Sequence, residues 1–110
     1  MIEVIRVYQH HNNQLASMVR VKCDTDFVAR NEEFLEFVDK MAMGIAALRD
    51  FNFYDGIHGL YYLTNSVTDQ TFMEDILDAR KKFGEDIRLV THSKFEVYTD
   101  ESKDEPDKRG

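Results

Sequence analysis

The segment from Leu15 to Leu48 constrains this chain most, because an alternating strand pattern there gives way to a helical one. Leu15, Ser17, Val19, Val21 and Cys23 alternate with Ala16, Met18, Arg20 and Lys22, which predicts a strand with one buried face. Phe34, Val38, Met41, Ala42 and Ile45 then recur at helical spacing, which predicts a helix from about Glu32 to Leu48. Asn31 suits its N-cap, since a short polar side chain can accept from free end amides, and Glu32 and Glu33 fall where the helix dipole favours negative charge. Gly44 lies inside this helix at a cost of roughly 1 kcal/mol relative to Ala, which marks close packing against another element.

Around this unit the pattern predicts a first strand at Ile2 to Tyr8, joined to the second by a hairpin loop at His10 to Gln14, where Asn12 and Asn13 tolerate positive φ. Thr71 to Glu74 has the form of a capping box opening a second helix through Phe72, Ile76, Leu77, the Arg80 stem and Phe83, with Gly84 as its stop. A last strand runs from Ile87 to Tyr98, with Ile87, Leu89, Thr91, Ser93, Phe95 and Val97 sharing one face. The aromatic stretch 51–66 carries turn signals at Asp55-Gly56 and His58-Gly59, and Gly59 to Thr64 reads as a short strand. These elements predict an α+β domain over residues 1–98, a three-stranded antiparallel sheet with helices packed on one face. Residues 99–110 are polar, charged and contain the only Pro, as in a disordered tail.

A net charge of -7 argues against direct nucleic-acid binding, because phosphate repels an acidic surface that has no basic patch. The one basic run, Arg80 to Lys82, falls at a helix end, where cations complement the dipole. A single Cys excludes an internal disulfide framework and suits a reducing compartment. No apolar run approaches the ~20 residues that cross a bilayer, and the amino terminus lacks the pattern of a secretory signal. A cytoplasmic protein with no membrane contact is expected.

Residues 23–47, C-D-T-D-F-V-A-R-N-E-E-F-L-E-F-V-D-K-M-A-M-G-I-A-A, resemble the signature of elongation factor Ts, which writes C-E-T-D-F-V-A before N-E-E-F or N-E-D-F. Asp24 in place of Glu is the only change in the first motif. Phe83-Gly84-Glu85-Asp86-Ile87 and Lys94-Phe95-Glu96-Val97 resemble the two ends of the family's closing stretch. Asn12 and Asn13 stand where the family usually has glycines. The resemblance implies a guanine nucleotide exchange factor, without covalent chemistry, whose partner is elongation factor Tu. It implies a partner-binding site at Thr25, Asp26, Phe27 and Val28, in which the Asp-Phe pair enters a groove of the partner and disturbs its magnesium and nucleotide site. It also implies a homodimer, since some members carry this core once and pair.

The residues alone leave Phe27 open. If the long helix began at Asp26 with Thr25 as cap, Phe27 would precede Phe34 by seven positions, share its face and belong to the core. A second cap at Asn31 hints instead at a break that frees Phe27 for a desolvated pocket in a partner. Family members normally begin with a small helical domain that also grips the partner, and nothing before Ile2 corresponds to it. That departure supports a second reading, a noncatalytic adapter or competitor that binds elongation factor Tu, and a third, a homodimeric structural module.

Other chemistry is thinly supported. His10, His11, His58, His92 and Cys23 show no spacing typical of metal-ligand pairs, so no metal is expected. Cys23 reads as a small buried side chain rather than a nucleophile. Asp24 and Asp26 suit amide capping better than acid-base work. Without a phosphate-binding glycine loop the chain itself is not expected to bind GTP, and neither a cofactor nor a catalytic residue is expected.

Overall fold

A computed structural model describes residues 1–48 and 56–97. Strands β1 (Ile2–Gln9), β2 (Leu15–Cys23) and β5 (Arg88–Glu96) form an antiparallel sheet in the order β1-β2-β5, with helices packed on one face. Between β2 and β5 the chain forms α1 (Asp26–Ala29), α2 (Glu32–Ala47), α3 (Gly56–Tyr61), the short pair β3 (Thr64–Asn65) and β4 (Gln70–Thr71), and α4 (Phe72–Phe83). This is the expected α+β architecture. Gly59 to Thr64 is not a strand: the helix α3 continues to Tyr61, and pairing begins only at Thr64. Phe51, Phe53, Tyr54, the end of the domain at residue 98 and the tail 99–110 lie outside the described residues.

The hairpin between β1 and β2 follows the asparagine argument, for Asn13 adopts φ 62° and the Asn12 side chain accepts from the Gln14 amide at 2.9 Å. Val19, Val21 and Cys23 of β2 face Phe34, Val38, Met41 and Ile45 of α2 across the core. Each large apolar side chain fully buried in this way contributes about 1.5–3 kcal/mol before entropy is charged against it. Phe34 also meets Phe83 edge-on, with ring centroids 5.6 Å apart, which ties α2 to α4. The capping box at Thr71 and Glu74 forms as the sequence predicts, and Gly84 ends α4 at φ 69°. Leu77 departs from expectation: it lies on the solvent side of α4.

The last strand departs further. Val21 pairs with Leu89 but Arg20 pairs with Thr91, leaving Val90 as an extra residue in a β-bulge. Because side chains alternate with period two, one inserted residue reverses the faces beyond it. Thr91, Ser93 and Phe95 therefore do not share a face with Leu89; they turn to the uncovered side, while His92 and Lys94 lie opposite Val19 and Ser17 on the helix side. The Lys94 ammonium donates to the Leu48 carbonyl at the end of α2, where free carbonyls and the dipole both favour a cation. The uncovered face carries Ile5, Val7, Met18 and Phe95, all exposed.

Candidate functional site

The turn from Asp24 to Arg30 owes its shape to two successive caps. The Thr25 hydroxyl accepts from the Val28 amide at 3.3 Å and starts the single turn α1. Asn31 then accepts from the amides of Glu33 at 2.8 Å and Phe34 at 3.1 Å and starts α2 afresh. Two caps six residues apart make a break, so the helix frame that would bury Phe27 beneath Phe34 never forms. Phe27 is 78% exposed at the crest of the turn.

Of the four residues expected at this site, Thr25, Asp26 and Phe27 face solvent, whereas Val28 is 4% exposed and packs in the core. Val28 thus anchors the turn and Phe27 projects from it. Asp26 pairs with Arg30 at 2.6 Å, one helical turn on. Both groups are well exposed, so water screens the pair and its contribution to stability is small.

A second segment holds the turn from outside. Glu85 Oε1 accepts from the amides of Asp24 at 2.9 Å and Thr25 at 3.1 Å, and Oε2 accepts from the Thr25 hydroxyl. These bonds, led by the Thr25 hydroxyl, hold the Glu85 carboxyl below its ordinary value. The Asp86 amide returns a bond to Asp24 Oδ2 at 3.2 Å. Asp86 is in turn held ionised by Arg88 at 3.0 Å and, more distantly, by Arg80. Sequence reasoning missed this clamp; its signal was the Gly84-Glu85 pair, which was legible only as a helix stop.

The remaining candidates stay quiet. Burial, reinforced by the Glu85 charge and only partly opposed by the Thr25 backbone, pushes the Cys23 thiol above its ordinary value and disfavours a thiolate. His10 is engaged by the Tyr8 hydroxyl at 2.7 Å. Among the described residues, no group of three or more His, Cys, Asp or Glu is placed to hold a metal. A recess of about 230 Å³ lies between α2 and α4, lined by Phe37, Lys40, Asp78, Lys82 and Phe83 among others, and no residue of the Thr25–Val28 turn reaches it. Among the described residues, no helix is long and apolar enough to cross a membrane.

The candidate site is therefore a projecting aromatic turn on a small α+β scaffold. The sequence model of elongation factor Ts matches residues 24–104, which takes in the turn, α2, the clamp and β5. The chain belongs to the elongation factor Ts family, a family of translation elongation factors. The elongation factor Ts of Solidesulfovibrio magneticus is 59% identical over 44 residues, which cover 40% of this chain and 22% of that protein. That of Thermosipho melanesiensis is 47% identical over 45 residues, 41% of this chain and 23% of its own length. That of Rippkaea orientalis is 42% identical over 53 residues, 48% of this chain and 21% of its own length. The chain thus spans little more than a fifth of the curated relatives it matches.

Proposed function

We propose that this chain binds elongation factor Tu in the cytoplasm and promotes release of its GDP, acting by coupled binding rather than covalent chemistry. The observation that carries this reading is Phe27, a rigid ring held 78% exposed on a turn whose next residue is buried. An aromatic residue so presented is costly to leave in water and suited to fill a desolvated pocket, where such anchors dominate binding energy. Asp26 beside it supplies a directional charge toward the partner's magnesium and nucleotide site. A protein that binds the nucleotide-free partner more tightly must, by linkage, weaken that partner's hold on nucleotide.

The test is the rate at which elongation factor Tu loses fluorescent GDP, with this protein and with its Phe27→Ala variant. Acceleration that vanishes in the variant supports exchange through the wedge. Binding without acceleration would replace it with the adapter reading. A structural module that has lost its partner surface is disfavoured by the exposure of Phe27.

The same reading includes a homodimer. Ile5, Val7, Met18 and Phe95 make the uncovered sheet face apolar, and a three-stranded sheet gains stability when such a face is covered. Phe95→Glu is expected to shift a dimer to monomer in sedimentation equilibrium; a monomer already present in the parent protein would remove this part of the proposal.

A further inference from the structure

The geometry points to Glu85 as a positioning residue that orients the Asp26–Phe27 turn from a distant part of the chain. This inference rests on the exchange-factor reading for its functional consequence, while the orientation itself is a property of the free protein. Sixty residues separate Glu85 from Thr25, yet one carboxylate accepts both backbone amides that enter the turn and the hydroxyl that caps it. The Thr25 hydroxyl has a proton to give and a lone pair to offer. It gives the proton to Glu85 Oε2 and offers the lone pair to the Val28 amide, so the carboxylate fixes the rotamer that begins α1. Removing Glu85 frees that hydroxyl to rotate and leaves the Asp24 and Thr25 amides to water.

Glu85 is itself aimed by the end of α4. Gly84 turns left-handed at φ 69° with its amide on the Arg80 carbonyl at 2.8 Å, which directs the next side chain away from the helix axis. Arg80 Nε then donates to the Ile87 carbonyl at 2.9 Å and closes the turn into β5. The Asp86 amide completes a reciprocal pair with Asp24 Oδ2. Two chain reversals are thereby hydrogen-bonded to each other, and Phe27 rides on one of them. A ring that must enter a pocket in one orientation gains from this, because ordering it beforehand removes that cost from binding.

The experiment compares the parent protein with Glu85→Ala, Glu85→Gln, Thr25→Val and the double variant Phe27→Ala/Glu85→Ala. Amide hydrogen exchange in the free protein reads the orientation, and GDP release from elongation factor Tu reads its use. Glu85→Ala is expected to speed exchange at Asp24, Thr25 and Val28 by roughly tenfold or more, as loss of charge-assisted bonds should, with core amides of β2 unchanged. GDP release at subsaturating protein should slow by a similar factor. Gln keeps one acceptor oxygen for the two amides and should restore part of both losses. Thr25→Val should mimic Glu85→Ala in release, and Glu85→Ala should add nothing once Phe27 is gone.

Unchanged protection of the three amides in Glu85→Ala would overturn the inference, as would a loss of GDP release that Thr25→Val fails to reproduce, because Glu85 would then be touching the partner directly. If the parent protein does not accelerate release, the exchange-factor reading fails. Amide protection in the free protein still decides the positioning role in that case.

Discussion

Two turns in this protein are held by the same chemistry in opposite surroundings. Asp75 accepts from Asn65 Nδ2 at 3.0 Å, Thr68 Oγ1 at 2.9 Å and Gln70 Nε2 at 2.9 Å, and it fixes the β3–β4 turn against α4. Glu85 accepts from three donors of the Asp24–Thr25 segment and fixes the start of α1. The first carboxylate is buried and its Asn65 partner is fully so; the second is open to solvent on one side. Burial decides what each turn is for. A buried donor that loses its acceptor cannot turn to water, so the Asp75 network guards stability. Donors at Glu85 can turn to water at small cost, so that clamp governs where a side chain points.

The comparison is broken most strongly at Gly44. A Cβ built there would lie 2.1 Å from Asn65 Oδ1, so Gly44→Ala must expel the Asn65 side chain from its place between α2 and α4. We expect a loss of about 2–4 kcal/mol from overpacking and broken buried bonds, read as a lower urea midpoint. Asp75→Ala, which takes the carboxylate acceptor from the buried Asn65 amide without a clash, should cost about 2–3 kcal/mol in the same measurement. If either variant unfolds at the parent's midpoint, the buried turn is no more structural than the exposed one.

Phe27→Ala sharpens the contrast from the other side. Its ring is in water, so the unfolding free energy from urea titration should change by less than about 0.5 kcal/mol, while the proposed acceleration of GDP release should be lost. A stability loss as large as that of Asp75→Ala would mean that Phe27 belongs to the core after all.

The smallest effect concerns pH. The Glu85 and Asp86 carboxyls are held below their ordinary values of 4.5 and 3.8 by the Thr25 hydroxyl and by Arg88 respectively. Groups whose values fall on folding contribute stability that is complete above the ordinary value and is lost as pH falls through the lower folded one. The Thr25 amide shift, which reads Glu85, should therefore titrate in NMR with a midpoint below the ordinary value of 4.5. A change centred above that point would show that the clamp does not favour the ionised Glu85.

Much of this architecture was legible locally. The strand β2, the helix α2 with its Asn31 cap, the capping box at Thr71 and the stop at Gly84 each depend on neighbours within a few residues, where periodicity and capping chemistry operate. Gly44 was legible as a close approach, though not what it approaches. Thr25 and Asn31 were both visible as caps. Whether they made one helix or two turned on which amides each side chain reached.

What the sequence by itself determined is the family motif, the caps and the core faces of β2 and α2, because these are written in residue type and spacing. Only the tertiary structure decided the rest. The bulge at Val90 reverses β5 through its pairing with β2, so Phe95 lies on the uncovered face and Lys94 reaches the end of α2. The clamp joins Glu85 to Asp24 and Thr25 across sixty residues, and it exists only because the sheet brings the end of β2 beside the start of β5. Local pattern carries no information on which distant backbone will stand opposite, and that is where a carboxylate finds its donors.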